Sequence, residues 1–372
     1  MGKLPMYQRI KRDLLDQIAR GQYDPDAPLT TQRELCERYG VSMLTASRAL
    51  SELQRDGVLV SSRGRGTFVA ARRPSAGRSA APGRPPEITC IIPALSSGDV
   101  MDVVHGVERT AAALGFTTSI AATDGSWERQ REALRRAQHS AAVILYPVDG
   151  PGDAEAVRDL RDLGIPVVFV DRYWEELPSA AVLIDNQQIG YHLTSRLVER
   201  GFGRIATLWV ETSCTSVRDR QAGHLRALRD HGIEIDAELL AIRDHFSQPD
   251  DVRRRMLASA VADGTPTAFV CSNGFVLEQA LSDSLAIGLR VPDDVDFAGT
   301  DRKVGDHSTI PPLTAVTAIL PHRAIGETAA GVACEAVATG RPPRPVHTVL
   351  EADFQEREES PLRLNVVRSE PA

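Results

Sequence analysis

Residues Val41-Ser42-Met43-Leu44-Thr45-Ala46-Ser47-Arg48-Ala49-Leu50 read VSMLTASRAL. Ser42 suits a helix N-cap, and the run it opens through Arg55 places Ala46, Ala49, Leu50 and Leu53 on one side of an α-helix. Leu44, Arg48, Ser51 and Arg55 fall on the opposite side, with Thr45 and Ser47 on its flanks. Upstream, MYQRIKRDLLDQIARG (6–21) spaces Ile10, Leu14 and Ile18 four apart and stops at Gly21. TTQRELCERYG (30–40) follows, capped by Thr30 or Thr31, with Leu35 and Tyr39 turned inward. Downstream, VLVSSRGRGTFVA (58–70) reads as two strands around a glycine-rich turn that presents Arg63 and Arg65.

Three helices and a basic hairpin predict a winged helix-turn-helix over residues 1–70. Next comes ARRPSAGRSAAPGRPPE, residues 71–87, which has no apolar periodicity and is rich in Pro, Gly, Ala, Ser and Arg: a linker. Charge divides in the same way. Residues 1–86 hold 15 Lys and Arg against 8 Asp and Glu, a net of +7, while the remainder holds 28 against 42, a net of −14. A basic head on an acidic body fits a nucleic-acid-binding module joined to something else.

The whole chain, 372 residues with 42% apolar and 25% charged side chains, has the composition of a folded protein of two or three domains. No apolar run has the length of a membrane span, and the N-terminus has no signal-peptide core, so the expected location is the cytoplasm, away from membranes. The five cysteines, Cys36, Cys90, Cys214, Cys271 and Cys334, are scattered and read as buried reduced thiols. His105, His192 and His224 lie on predicted helices without metal-ligand spacing and read as solvated or capped; no metal is expected.

Within residues 88–372, strand patterns alternate with helical ones. ITCIIPA, TTSIAAT, AAVILYPV, PVVFVD, RIATLWV, TAFVCSN and VDFAGTD are strand candidates, separated by amphipathic stretches such as WERQREALRRAQ and SVRDRQAGHLRALRDHG. Such alternation predicts an α/β body with parallel sheets covered by helices on both faces, long enough for two lobes. Two-lobed α/β bodies bind small molecules in the cleft between lobes.

Two resemblances sharpen this reading. LTTQREL (29–35), GVSMLTASRAL (40–50) and GRGTFV (64–69) resemble the GntR-type DNA-binding domain. That resemblance implies that Arg33, the start of the third helix (Ser42, Met43, Leu44, Thr45, Ser47 and Arg48) and the wing (Arg63, Gly64, Arg65 and Gly66) approach DNA. Two arginines of the family pattern are replaced by Met43 and Ser47. Arginine commonly reads guanine, whereas apolar groups and the Thr methyl meet the thymine methyl, so the expected preference shifts toward T-rich positions. Arg33, Arg48, Arg63 and Arg65 would then hold phosphates or enter the minor groove. The alternative is that Met43 and Leu44 pack against the wing or the second helix.

GIPVVFVDR (164–172), VLIDNQQIGYHLTSRLVERGFGRIATL (182–208), VRDRQAGHLRAL (217–228), AIGLRVPDDVDFAGTD (286–301) and PPLTAV (311–316) resemble the effector domain of LacI/GalR-type regulators, a two-lobed periplasmic-binding-protein-like (type I) fold. The combination is similar to arabinose-responsive regulators of the AraR type. The resemblance implies a ligand clamp at Arg220, an acceptor of paired hydroxyls at Asp301, a turn asparagine at Asn273 and a stacking aromatic at Phe246, with Asp149 and Asp171 as further cleft residues. Gly274 stands where the family has an aspartate, and Asp99 and Val100 where it often has an aromatic pair, which favours a polyol or sugar over a flat aromatic ligand.

The function expected is a ligand-responsive transcriptional regulator, a repressor bound as a homodimer to double-stranded operator DNA. Two other classes compete. A pyridoxal-phosphate enzyme fused to the head would need a Schiff-base lysine, and the body holds only Lys303, so no cofactor and no enzymatic activity are expected. A plain solute-binding protein would have no use for the basic head.

Overall fold

A computed structural model describes residues 6–19, 32–55, 59–62, 66–69, 85–150, 152–209, 214–236, 239, 247–262, 264–300 and 314–357. Thr30 and Thr31, the wing tip 63–65, linker residues 71–84, Phe246, Asp301 and Lys303 lie outside these, as do the side chains of Ile18 and Arg33. The chain divides into two compact units, Met1–Ala76 and Gly77–Ala372.

In the first unit α1 (Met6–Ala19), α2 (Gln32–Tyr39) and α3 (Met43–Arg55) are followed by the antiparallel strands β1 (Leu59–Ser62) and β2 (Gly66–Val69), with Leu59 opposite Val69. The apolar stripe predicted for α3 is the core. Ala46, Ala49 and Leu53 are fully buried and Leu50 nearly so, against Ile10, Leu14, Leu35 and Leu59. Each buried leucine contributes roughly 2 kcal/mol. Ser42 caps α3 through its Oγ, which accepts from the Thr45 N–H at 3.4 Å. The half-buried Tyr39 hydroxyl donates to the Asp13 carboxylate, and its pKa is pushed up to about 12 by burial and by that carboxylate.

The second unit contains two sheets. Strands β3 (Glu87–Ile92), β4 (Thr117–Ala122), β5 (Ala142–Leu145), β6 (Val167–Val170), β7 (Ala180–Ile184) and β12 (His347–Leu350) form a six-stranded sheet, all parallel, in the order β12-β7-β6-β5-β3-β4. Helices α4 (Gly98–Ala113), α5 (Trp127–Arg136), α6 (Ala154–Asp162) and α11 (His322–Thr339) belong to this lobe. Strands β8 (Ile205–Leu208), β9 (Thr267–Cys271), β10 (Val295–Thr300), β11 (Val316–Ile319) and β13 (Asp353–Glu356) form the other sheet, in the order β13-β11-β10-β9-β8 with only β13 antiparallel. With it go α7 (Asn186–Glu199), α8 (Thr215–Asp230), α9 (Asp250–Ala260) and α10 (Gly274–Ala286). Every residue of β5, β6 and β9 is buried, the signature of parallel strands covered on both faces. The chain crosses between sheets after β7, after β11 and through Glu351 and Ala352 between β12 and β13.

Among the described residues, each lobe contains a helix pair in backbone contact. A Cβ built on Gly190 of α7 would sit 1.9 Å from the Arg220 carbonyl oxygen of α8, and one on Gly223 would sit 2.0 Å from that of Gln187. Gly106 of α4 and Gly326 of α11 stand in the same relation, at 2.1 Å from Arg323 O and 2.0 Å from Val103 O. Because the obstacle is backbone, no side-chain rotation relieves it. Gly190→Ala is expected to force α7 and α8 apart and cost about 2–3 kcal/mol in urea unfolding; a variant as stable as the wild type would show that the helices separate freely.

Candidate functional site

Loops and helix starts at the carboxyl ends of strands from both sheets enclose a cleft of about 280 Å³. That volume is near the low end of the roughly 300–1,000 Å³ usual for small-molecule sites. The position follows from the topology, since parallel sheets offer ligands the crevice beyond their carboxyl ends. Of the six effector-site residues expected from sequence, Arg220, Asn273, Asp149 and Asp171 all line this cleft. Phe246 and Asp301 fall outside the described residues.

Arg220 lies in the second turn of α8 and is only 4% exposed. Its Nη1 donates to the Ser272 carbonyl oxygen and its Nη2 to Asn186 Oδ1 at 2.6 Å. The guanidinium is therefore held by the protein itself. Asn273 caps α10, its Oδ1 accepting from the Val276 N–H at 3.0 Å. With the oxygen committed to the cap, the amide N–H groups are what Asn273 can offer a ligand.

Asp171 follows β6 with a left-handed φ of +65°, a conformation that aspartate tolerates better than most residues. Its carboxylate accepts from Arg172 Nε at 3.0 Å and from Ser216 Oγ at 3.3 Å. Burial alone would raise this carboxyl, but the charge and hydrogen bond of Arg172, with His322 and Arg220 adding charge, hold it below the usual carboxylate range. Arg172 in turn lies over the Tyr146 ring, 5.4 Å from its centroid. Arg172, Tyr146, Ser216, Ser272, Phe275 and His322 line the cleft without having been named from the sequence. The signal available for them was position alone, immediately after a strand or at a helix start.

The segment after β6 also bridges to the other lobe. Besides Asp171–Ser216, the Tyr173 N–H donates to Thr215 Oγ1 at 3.2 Å, and Glu175 pairs with both terminal nitrogens of Arg218 at 2.9 and 3.0 Å. These partners all lie in the first turn of α8.

His224 corrects the expectation of a solvated or capped histidine: it is fully buried one turn beyond Arg220. Thr194 gives its proton to the Gly190 carbonyl at 2.8 Å, so His224 Nδ1, 2.8 Å from Thr194 Oγ1, carries the ring proton. Nε2 has no hydrogen-bond partner among the described residues. His192 is half-buried against Phe354, while His105 is exposed as expected. Four cysteines are buried and Cys36 is half-buried, all as free thiols.

On the head, Leu44 is 82% and Met43 54% exposed, so neither is packed into its core. Ser42 is exposed, and Thr45 and Ser47 are half-buried. Arg48 is exposed but leans on its own domain, 4.2 Å from the Tyr7 ring centroid and 3.7 Å from Glu52. Gly66 opens β2; Arg63, Gly64 and Arg65 lie outside the described residues. Among the described residues no group of acidic, His or Cys side chains could hold a metal, and no helix is long and apolar enough to cross a membrane.

Fold and cleft together define a ligand-binding body joined in sequence to a winged helix-turn-helix. The chain belongs to the family described as periplasmic binding proteins and sugar binding domain of LacI family, matched over residues 86–344, and its head matches bacterial regulatory proteins of the gntR family over residues 6–69. It is 29% identical over 306 residues to an arabinose metabolism transcriptional repressor of Geobacillus stearothermophilus, covering 80% of this chain and 82% of that relative. A ribose operon repressor structure from Burkholderia thailandensis superposes with a TM-score of 0.64 at 22% identity, over 74% of this chain and 100% of that one. The CelR regulator bound to cellobiose gives 0.63 at 22% identity, over 86% and 92% of the two chains. The protein is an effector-regulated, DNA-binding transcriptional regulator of the repressor type.

His224 also sets a pH dependence. Burial pushes the imidazole down to about 4 from its ordinary 6.5, so the unfolded chain binds a proton that the folded one refuses between those values. The stability this neutral ring contributes is complete above pH 6.5 and falls as pH drops toward 4, by on the order of 3 kcal/mol. Urea unfolding across that window is expected to show a shallower loss for His224→Gln than for the wild type; parallel curves would mean that the ring titrates normally.

Proposed function

We propose that this chain is a cytoplasmic homodimeric repressor, without enzymatic activity, that releases or retains operator DNA according to a sugar bound between its lobes. The observation carrying this is the convergence of Arg220, Asn273, Asp149 and Asp171 on one cleft fed by both sheets. Donors from Arg220 and acceptors from the aspartates, Asp301 included, suit a ligand with several hydroxyls, and Phe246 would stack on its ring. The names of the relatives point the same way, one to arabinose metabolism and one to cellobiose. Two-fold symmetry of a dimer would match two half-sites of an operator. Closing the lobes on ligand stabilises one arrangement over another, and coupling of this kind typically amounts to about 1–3 kcal/mol.

On DNA, Leu44 and Met43 offer exposed apolar groups to thymine methyls, with Ser42, Thr45 and Ser47 beside them. Arg33, Arg48 and the wing residues Arg63, Gly64, Arg65 and Gly66 approach the backbone or the minor groove.

Two measurements test the two halves. Arg220→Ala is expected to keep operator affinity and to weaken effector binding by roughly 2–3 kcal/mol, leaving a repressor that no longer responds; operator binding with and without L-arabinose or cellobiose reads this directly, and a variant that responds like the wild type places the ligand elsewhere. Leu44→Arg is expected to change which bases are selected from randomised operators, in the direction of guanine. Identical selected sites would remove Leu44 from base reading.

A further inference from the structure

None of the residues of α5 lines the cleft, yet the loop that follows β5 and bears Asp149 is tied to this helix. The two buried side chains of α5 are Gln130 and Leu134, one turn apart on its inner face. Leu134 joins the apolar core of the first lobe. Gln130, at 2% exposure, brings a primary amide to a place where an apolar side chain would pack. Its Oε1 accepts from the Val148 N–H at 2.8 Å. Val148 is itself buried, lines the cleft and directly precedes Asp149.

The two ends of this loop are anchored separately. At its start the Tyr146 N–H donates to the Ile91 carbonyl oxygen at 2.9 Å, continuing the pairing of β5 with β3. At its end Asp153 accepts from Arg131 Nε and caps α6 by accepting from the Ala156 N–H at 3.1 Å. Arg131 also lies over the Trp127 ring, 4.6 Å from its centroid. Gly152 sits so close to the Trp174 indole that a Cβ there would stand 2.5 Å from Cδ2. Between these anchors Gly150 has a φ of +128°, which glycine adopts freely, and the Gln130 bond holds the residue next to Asp149.

We propose that Gln130 is a positioning residue of the effector site: by holding the Val148 N–H it sets where the Asp149 carboxylate stands in the cleft, and so governs effector affinity without touching the effector. The assignment rests on the cleft being the effector site. Without the Gln130 acceptor the Val148 N–H would be buried and unpaired, and the loop would gain by moving that group toward water. Good hydrogen bonds span only roughly 0.5 Å of donor–acceptor distance, so a loop displaced by more than that loses the ligand hydroxyl.

The test compares variants of the full chain by calorimetric titration with L-arabinose, D-ribose and cellobiose, and by hydrogen exchange at the Val148 amide without sugar. Gln130→Met keeps the length and packing of the side chain but has no oxygen. It should bind the sugar about tenfold more weakly than the wild type and exchange Val148 faster. Gln130→Glu presents an acceptor oxygen at the same reach, whether charged or protonated, and should restore affinity to within about twofold, together with slow exchange. Leu134→Ala, one turn away on the same face, should lower the melting temperature at least as far as Gln130→Met and leave affinity unchanged, because it loosens α5 without releasing the loop. Operator binding without sugar should match the wild type in all three. Unchanged affinity in Gln130→Met, no recovery in Gln130→Glu, or an equal loss in Leu134→Ala overturns the positioning role, while Arg220→Ala still reports on the cleft. An Arg220→Ala variant that binds sugar like the wild type, or a wild type that binds none of the three sugars, overturns the cleft reading and this assignment with it.

Discussion

Where α7 crosses α8 and α4 crosses α11, the helices touch backbone to backbone, and glycine is the residue that permits it. The consequence lies one turn away, at the helix ends. The carbonyl pressed against Gly190 belongs to Arg220, so the crossing fixes the height at which the Arg220 side chain leaves α8. On the other lobe the carbonyl against Gly106 belongs to Arg323, next to the cleft-lining His322. The two lobes thus solve the same packing problem in the same way and present helix starts to the cleft from both sides. Dense backbone contact of this kind leaves little room for one helix to shift against the other.

The two lobes are joined by the three crossings between sheets and by the segment after β6. That segment is held to α8 by Asp171–Ser216, Tyr173–Thr215 and Glu175–Arg218. Glu175 and Arg218 are largely exposed, and such pairs contribute little, about 1 kcal/mol at most. The bond to Asp171 is buried and therefore costlier to break without replacement. The bridge is thus graded, firm beside the cleft and weak at its outer end. Were the lobes to move against each other, the outer pair would yield at less cost than the buried bond.

How far the sequence showed this varies with the range of the interactions. The stripe Ala46, Ala49, Leu50 and Leu53 was readable because helical periodicity is local, and the structure buries all four. The buried strands β5, β6 and β9 were readable from continuous apolar runs. Strand β13 was not: Asp353–Glu356 has one apolar residue, Phe354, and becomes a strand by pairing antiparallel with β11. Arg220 and Asn273 came from resemblance, since nothing in their spacing brings residues from α8 and α10 together. His224 was misjudged because a histidine on a helix gives no sign of what packs over it, and here α7 does. Ser272 and Phe275 escaped for a related reason. Which side chains come to line a cleft is a property of surroundings, not of residue type.

The cleft is ordered on its second-lobe side by bonds within the protein. Arg220 is held by Asn186 and the Ser272 carbonyl, and Asn273 by its own helix. Ordering these side chains costs entropy whether or not ligand is present, and folding has already met that cost, so binding does not bear it again.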